Sequence, residues 1–226
     1  MSEFAAGPAG RIERVRALMV ERGYDAIVVR DEANLRWLTG VKGVFDYTFE
    51  FPHAAFNTTV VDEGTIPGWV AGKIAANKCR VCAVEDDMQI NFYQGIQRGL
   101  EDRSVACMLP LMHDDIRKMR AIKDAEEIEL MRHAQSITDA AFQHMLGFIK
   151  PGMTEKQVRN ELENFMFANG ADSLAFGSIV ASGPNTANPH AVPSDRVIEK
   201  GDFVLMDYGA GYCDYRSDMT RTVVMG

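Results

Sequence analysis

The sequence predicts an α/β N-terminal domain, with a mixed sheet in three layers, followed by an α+β segment. Up to about residue 110, short apolar runs alternate with amphipathic helical patterns, and this alternation is typical of layered α/β domains. Beyond residue 123, two long amphipathic helices come first and the strands follow, which is the order expected of an α+β segment. A chain of 226 residues has room for one or two domains, and we place them at 1–115 and 116–226.

The N-terminal elements follow from the hydrophobic period and from the residues that start and stop helices. Apolar residues at helical spacing predict a helix over 11–22, and Gly23 ends it. A short helix over 33–38 has Asp31 and Gly40 as its cap candidates. Helices are also predicted at 67–76 and 90–100, and strands at 25–30, 54–61 and 81–84.

The α+β segment opens with two helices that carry capping boxes. Asp124 with Glu127 starts the first, and Thr154 with Gln157 starts the second, which runs to Ala168. A Lys-Pro-Gly stop at 150–152 separates the two helices. Strands are then predicted at 178–181, 202–208 and 215–224.

Two aspartates in the last two predicted strands, Asp207 and Asp218, are the strongest chemical signal in the chain. Gly209 and Gly211 permit a tight turn, and a hairpin centred between residues 212 and 213 places the aspartates opposite each other. Directly opposed residues share a sheet face with Cβ atoms about 5 Å apart, so the two carboxylates repel and the pKa of one rises. A divalent cation removes that penalty, and carboxylate oxygens suit such ions. The pair is therefore a candidate metal site.

The alternative interpretation of this segment is a solvated turn, because aspartate beside glycine is common in turns. The apolar run at 203–206 leads straight into Asp207, which argues against an idle, solvated carboxylate there. His190, in the Pro- and Asn-rich loop 183–195, has a similar alternative as a surface turn residue.

Composition indicates a globular, cytoplasmic protein and argues against several function classes. Charged residues make up 25% of the chain and the net charge is −8, the opposite of the basic surface that nucleic acids require. No apolar run reaches the ~18 residues of a membrane span, and the N-terminus has no signal-peptide pattern.

Cys79 and Cys82 form a C-x-x-C without the second pair of a structural zinc site. The cysteines are therefore expected to be ordinary buried thiols in a reducing compartment.

Four blocks in the second half of the chain resemble the aminopeptidase P, prolidase and creatinase family, the pita-bread metallopeptidases of family M24. They are 179–185 (IVASGPN), 189–190 (PH), 201–207 (GDFVLMD) and 217–222 (SDMTRT). Weaker similarity at 35–40 and 120–128 extends the resemblance to nearly the whole chain. The resemblance implies a creatinase-like N-terminal domain followed by the first half of a pita-bread catalytic domain.

The same resemblance implies a metal-dependent hydrolase that cleaves the bond before proline, either an Xaa-Pro aminopeptidase or a prolidase-type dipeptidase. It makes Asp207 and Asp218 the first two ligands of a two-metal centre, and it makes His190 a substrate-contacting residue. The implied cofactors are two divalent ions, manganese first, with cobalt or zinc as alternatives. The implied partner is a peptide with proline at its second position, and the full-length enzyme is expected to be a homodimer.

Two departures from the family pattern bear on these expectations. Asp214 stands at the hairpin tip where the family usually has glycine, and it adds a negative charge near the site. The sequence stops at Gly226, whereas the resemblance implies one histidine and two glutamate ligands from a following half-domain. Two carboxylates leave a divalent ion under-coordinated, so we expect a fragment or a truncated product that is inactive by itself.

Two other functions stay open at this point. One is a non-peptidase relative that acts on a small amide or guanidino compound. Creatinase-type members lack the metal ligands, whereas this chain keeps both Asp207 and Asp218. The other is a non-catalytic binding protein that retains the fold.

Overall fold

The computed structural model describes residues 7–40 and 64–226. The chain divides into two compact units, Met1–Asp124 and Ala125–Gly226. The predicted strand at 54–61 lies outside the described residues. In the described ranges no helix combines the length and the apolar character needed to cross a bilayer.

The first unit contains five helices and two strands among its described residues. In chain order they are α1 (Gly7–Arg22), β1 (Ala26–Val28), α2 (Glu32–Thr39), α3 (Ile66–Ala76), β2 (Cys82–Val84), α4 (Ile90–Glu101) and α5 (Asp115–Ala121). The strands β1 and β2 pair in parallel, with Ala26 opposite Cys82. Isolated parallel bridges also pair Val81 with Met108 and Val84 with Leu111. Apart from the strand at 54–61, the predicted helices and strands of this unit are confirmed to within a few residues at their ends.

The caps of α2 are the ones that the sequence predicts. The Asp31 side chain accepts a hydrogen bond from the Asn34 amide at the start of the helix, and Gly40 ends it in the left-handed conformation. A side-chain acceptor at this position satisfies one of the helix's free amide groups. Local chemistry therefore sets both ends of α2.

The helix α5 was not predicted, and it belongs to the first unit. Its Ile116 is buried in a cluster with Val15 and Trp37. Apolar contact of this kind is what joins an element to a core. The predicted domain limit at 115/116 falls after the first residue of α5, whereas the two compact units divide on the C-terminal side of this helix.

The second unit places two long helices before its strands, as predicted. The elements are α6 (Ala125–Phe148), α7 (Glu155–Ala168), β3 (Ser173–Leu174), β4 (Ile179–Ser182), a 3₁₀ helix (Gly183–Ala187), β5 (Phe203–Tyr208), β6 (Ala210–Tyr212), β7 (Tyr215–Arg216) and β8 (Met219–Val224). They form two three-stranded antiparallel sheets, in the orders β3-β6-β7 and β4-β5-β8. The predicted capping box of Thr154 and Gln157 opens α7.

The core of the second unit lies between its helices and one face of the sheets. Val204, Met206 and Tyr208 of β5 are fully buried in alternation with less buried neighbours. They pack with buried side chains from α6 and α7, among them Met145 and Leu162. Because side chains alternate along a strand, Leu205 and Asp207 are directed to the other face of the sheet. Asp207 therefore lies on the face of β5 that is opposite the helix-packed core.

Candidate metal centre

Asp207 combines burial with an unsatisfied acceptor. It lies in β5 between the buried side chains of Met206 and Tyr208, and its own side chain is half-buried. Its Oδ1 atom is inaccessible to solvent and has no hydrogen-bond partner among the described residues. A buried acceptor without a partner costs roughly 1–3 kcal/mol, and more when it is charged. A cation bound at this oxygen would remove that cost, so the residue fits the metal-ligand role implied by the resemblance.

The strand register differs from the predicted one. Asp207 pairs with Thr220 and Tyr208 pairs with Met219, so Asp207 is not directly opposite Asp218. The hairpin is centred between residues 213 and 214, because Tyr212 pairs with Tyr215. The prediction that the two aspartates are directly opposed is wrong.

The burial pattern beside Asp218 nevertheless agrees with a shared face for the two aspartates. Thr220 is opposite Asp207, and Asp218 precedes Thr220 by two residues, which is one full side-chain period of a strand. Continuing the alternation of β8 back to Asp218, which precedes the paired residues, puts it on the side of Asp207. Asp218 is exposed, whereas the flanking Ser217 and Met219 are buried. The observed partner of Asp207 is two residues away from the predicted one. A shift by two residues does not change the face on which a side chain lies.

Gly209 and Gly211 are required for a reason other than the predicted turn. Neither has a positive φ. A Cβ on Gly209 would lie 1.9 Å from the carbonyl oxygen of Ser217, and one on Gly211 would lie 2.3 Å from Oγ of Ser173. These glycines allow neighbouring strands to approach closely.

The actual turn of the hairpin is at Cys213 and Asp214. Both residues have positive φ, 48° and 69°, as in the two-residue turns that match the twist of hairpin strands. Asp tolerates this left-handed conformation better than most residues. Asp214 in place of the family's usual glycine is therefore compatible with the turn.

His190 lies in the long connection between β4 and β5. Its side chain is exposed, and its backbone amide donates to Oδ1 of Asn188 at 3.0 Å. The connection leaves β4 after Ser182, which pairs with Val204, so it begins several residues along the sheet from Asp207. The structure gives no contact between His190 and either aspartate, and the histidine's role remains a prediction.

A buried carboxylate that the sequence analysis missed organises this connection. Glu155, the first residue of α7, is 1% exposed. It accepts hydrogen bonds from the amide and hydroxyl of Ser182 at 2.7 and 2.9 Å, and from Nδ2 of Asn185 at 3.0 Å. It also accepts from the amide and hydroxyl of Ser194 at 2.9 and 2.7 Å. Glu155 thus joins the two sides of the connection that carries His190.

The protonation of Glu155 reflects these bonds. Burial by itself would raise the pKa of this carboxyl, but the hydrogen bonds from Ser194, Asn185 and Ser182 outweigh burial and hold the pKa below its usual value. Arg196 extends the network, since its guanidinium donates to Ser182 Oγ at 2.7 Å and pairs with Asp202 at 2.6 Å. The capping box beside Glu155 marks a helix start in the sequence, but nothing local signals that this side chain is buried.

The cysteines take no part in the candidate centre. Cys79, Cys82, Cys107 and Cys213 are free thiols. Burial raises the pKa of the Cys82 thiol to about 12, which keeps it protonated and unreactive. Across residues 7–40 and 64–226, no three His, Cys, Asp or Glu side chains are grouped so that they could hold a metal ion. The aspartate pair is therefore a partial donor set in the part of the chain that the structure describes.

Two family models match the chain. The model of metallopeptidase family M24 matches residues 129–226, and the model of the creatinase/prolidase N-terminal domain matches residues 11–59. The first match contains Asp207, Asp218 and His190, as well as Glu155.

Two proteins illustrate the sequence relatives. The Xaa-Pro dipeptidase of Pyrococcus horikoshii is 45% identical over 230 residues, which cover 96% of this chain and 64% of that protein. The uncharacterized peptidase YqhT of Bacillus subtilis is 33% identical over 234 residues, which cover 96% of this chain and 65% of that protein. The chain thus spans about two thirds of the length of these relatives.

Solved structures agree with the sequence matches. The Xaa-Pro dipeptidase from Bacillus anthracis superposes with a TM-score of 0.83 at 33% identity, over 96% of this chain and 64% of that one. The prolidase from Pyrococcus horikoshii superposes with a TM-score of 0.85 at 25% identity, over 96% and 65% of the two chains.

Proposed function

The chain belongs to metallopeptidase family M24, as its four sequence blocks predict, and on this basis we propose that it contributes Asp207 and Asp218 to the two-metal centre of an Xaa-Pro peptidase. The observation that carries the proposal is the buried Oδ1 of Asp207, which has no hydrogen-bond partner among the described residues. Asp218 lies directly before β8, the strand that pairs with the strand of Asp207. A second support is that the relatives and solved structures include Xaa-Pro dipeptidases.

The aspartates would hold the ions in different ways. Asp207 is anchored in the middle of the β4-β5-β8 sheet, so its carboxylate has little freedom and would present Oδ1 in a fixed direction. Asp218 is exposed and precedes the first residue of β8, so it can approach an ion from the solvent side. When bound, divalent ions supply polarisation of a scissile carbonyl and activation of a water molecule near neutral pH.

His190 would bind the peptide. An exposed imidazole can donate a hydrogen bond to a substrate carbonyl or to the oxyanion that develops from it, and contacts of this kind contribute roughly 10²–10³ in rate. The connection that carries His190 is tied at Ser182 and Ser194 to one buried carboxylate. This support makes the loop a suitable platform for a substrate-binding residue.

The substrate we propose is a peptide with proline at its second position. Its scissile amide carries no N–H group, so the site needs no acceptor for one. Carboxylate ligands favour hard or borderline cations, and manganese is the ion we propose, with cobalt or zinc as alternatives. A homodimer and a cytoplasmic location of the active protein are part of the same proposal, and sedimentation and cell fractionation test them.

Titration with Mn²⁺, followed by paramagnetic broadening of amide NMR signals, tests the metal site. We expect broadening first at the amides next to Asp207 and Asp218, and we expect Asp207→Asn and Asp218→Asn each to abolish it. Asp195→Asn is the control, because Asp195 is 82% exposed and pairs with Lys156. His190→Ala should leave the broadening unchanged and lower kcat/KM for Xaa-Pro peptides in the active protein. Broadening that survives both aspartate substitutions would disprove the metal site.

A further inference from the structure

The hairpin that carries the two aspartates is interrupted between them. The pairing of β5 with β8 ends at Tyr208 and Met219, and the pairing of β6 with β7 begins at Gly211 and Arg216. The chain changes from one sheet to the other in this gap. Asp218 lies inside the gap, so the regular ladder that holds Asp207 does not extend to Asp218.

A buried hydroxyl pair fills this gap from the side of α6. Thr138 is fully buried, and its Oγ1 lies 2.6 Å from Oγ of Ser217. The amide of Ala210 donates to both hydroxyl oxygens, at 3.0 Å to Thr138 and 2.9 Å to Ser217. The Ser217 hydroxyl donates in turn to the carbonyl of Ala210 at 3.1 Å.

These bonds connect the two arms of the hairpin close to the aspartates. Ser217 immediately precedes Asp218, and Ala210 is three residues beyond Asp207 on the same hairpin arm. Gly209 precedes Ala210, and it approaches the Ser217 carbonyl so closely that no side chain would fit. One backbone hydrogen bond, from the amide of Ser217 to the carbonyl of Ala210 at 3.0 Å, joins the strands here. The hydroxyl pair reinforces that bond and ties it to helix α6 through Thr138.

We propose that Thr138 is a positioning residue of the metal centre, which fixes the backbone of Asp218 relative to Asp207 through Ser217 and Ala210. The proposal rests on the proposed function, because it assumes that both aspartates bind metal. Thr138 touches neither carboxylate in this arrangement. It acts by holding the interrupted part of the hairpin in one geometry, as supporting residues do for metal ligands elsewhere.

Three substitutions in the 226-residue chain separate this role from general packing. Thr138→Val keeps the shape and removes the hydroxyl, whereas Thr138→Ser keeps the hydroxyl and removes a methyl group. Val158→Ala removes methyl groups from a fully buried position of the same core without touching the hydroxyl pair. Two quantities are measured for each variant: amide exchange at Ala210 relative to Val180, and the Mn²⁺ concentration that half-broadens the amides beside Asp218.

We expect Thr138→Val to speed exchange at Ala210 relative to Val180 and to weaken Mn²⁺ binding about tenfold, the lower end of effects at supporting residues of metal ligands. Thr138→Ser should restore both quantities to near the wild-type values, and Val158→Ala should change neither. Wild-type Mn²⁺ binding in Thr138→Val overturns the proposal, as does an equal loss in Thr138→Ser or in Val158→Ala. Failure of the proposed function itself is recognised separately, because broadening would then survive Asp207→Asn, and the positioning role would fall with it.

Discussion

Two carboxylates in the second unit show how differently a buried acid can be satisfied. Glu155 receives hydrogen bonds on both oxygens from Ser182, Asn185 and Ser194, so its charge is fully compensated inside the protein. Asp207 has one buried oxygen without any partner among the described residues. Glu155 therefore has a structural role, whereas the unsatisfied oxygen of Asp207 supports the metal-ligand role that we propose.

The Glu155 network predicts a specific dependence of stability on pH. Because the folded-state pKa of Glu155 lies below its usual value, its stabilisation is fully present above the unfolded pKa of about 4.3 and is lost as the pH falls through the folded pKa. Glu155→Gln should lower the free energy of unfolding by about 2–3 kcal/mol at neutral pH, because hydrogen bonds to a charged group are lost. Urea unfolding at a series of pH values measures the difference between the two proteins.

The difference between wild type and Glu155→Gln should shrink as the pH is lowered below about 4.3, where the carboxyl of the unfolded wild-type chain begins to be protonated while that of the folded chain is still charged. Glu129→Gln is the control, since Glu129 is 67% exposed and pairs with Arg132 on the surface of the same helix. A difference that stays constant down to acid pH would contradict the assignment of the charge as the stabilising feature.

Among the elements, the hairpin from β5 to β8 makes the strictest demand on sequence. It changes sheets at Gly209, where the strands approach too closely for a side chain, and turns at Cys213 and Asp214 with positive φ. The predicted continuous strand over 215–224 is therefore broken into β7 and β8. Close strand contact, rather than turn propensity, selects glycine at position 209.

Two glycine substitutions should have opposite effects on stability. Gly209→Ala puts a methyl group 1.9 Å from the Ser217 carbonyl, and overpacking of this kind costs about 1–3 kcal/mol or more. Gly147 is exposed in the last turn of α6, and an added methyl group there meets no atom within 4 Å. Gly147→Ala should therefore raise the free energy of unfolding by about 0.5–1 kcal/mol through helix propensity. Urea midpoints of the two variants decide the matter, and an unchanged midpoint for Gly209→Ala would contradict the close approach.

On the scale of the whole chain, the candidate site is bordered by exposed apolar surface. Phe203 and Val224 are opposite each other at the end of the β5–β8 pairing and are 57% and 59% exposed. Both belong by register to the face that carries Asp207. In the described part of the chain, β8 pairs with β5 alone and leaves its other edge open. Open edges and apolar patches favour association.

We expect the 226-residue chain alone to show no turnover of Xaa-Pro peptides with Mn²⁺ or Co²⁺, and to bind Mn²⁺ weakly. Two carboxylates supply fewer oxygens than a divalent ion takes, and no third ligand joins the pair within 7–40 and 64–226. The chain should also self-associate through its open edge. Peptide hydrolysis and light scattering on the purified chain test both points, and robust turnover by a monodisperse sample would refute this prediction.

The sequence alone determined the features that depend on near neighbours. Hydrophobic period and caps located the described helices other than α5 and the 3₁₀ helix, including α7, which the box of Thr154 and Gln157 opens. The spacing of Asp207 and Asp218 predicted a shared face, which stays a prediction because Asp218 precedes the paired residues of β8. The exposure of Asp218 between buried Ser217 and Met219 supports it.

Tertiary structure decided what depends on distant partners. Asp207 pairs with Thr220 instead of Asp218, because the chain turns at Cys213 and Asp214. The sequence allowed a turn centred between residues 212 and 213 equally well. The burial of Glu155 depends on groups 27 to 39 residues away, which no local pattern reveals. Short-range periodicity records which side of an element is apolar, whereas hydrogen bonds between distant segments form only when the whole unit packs.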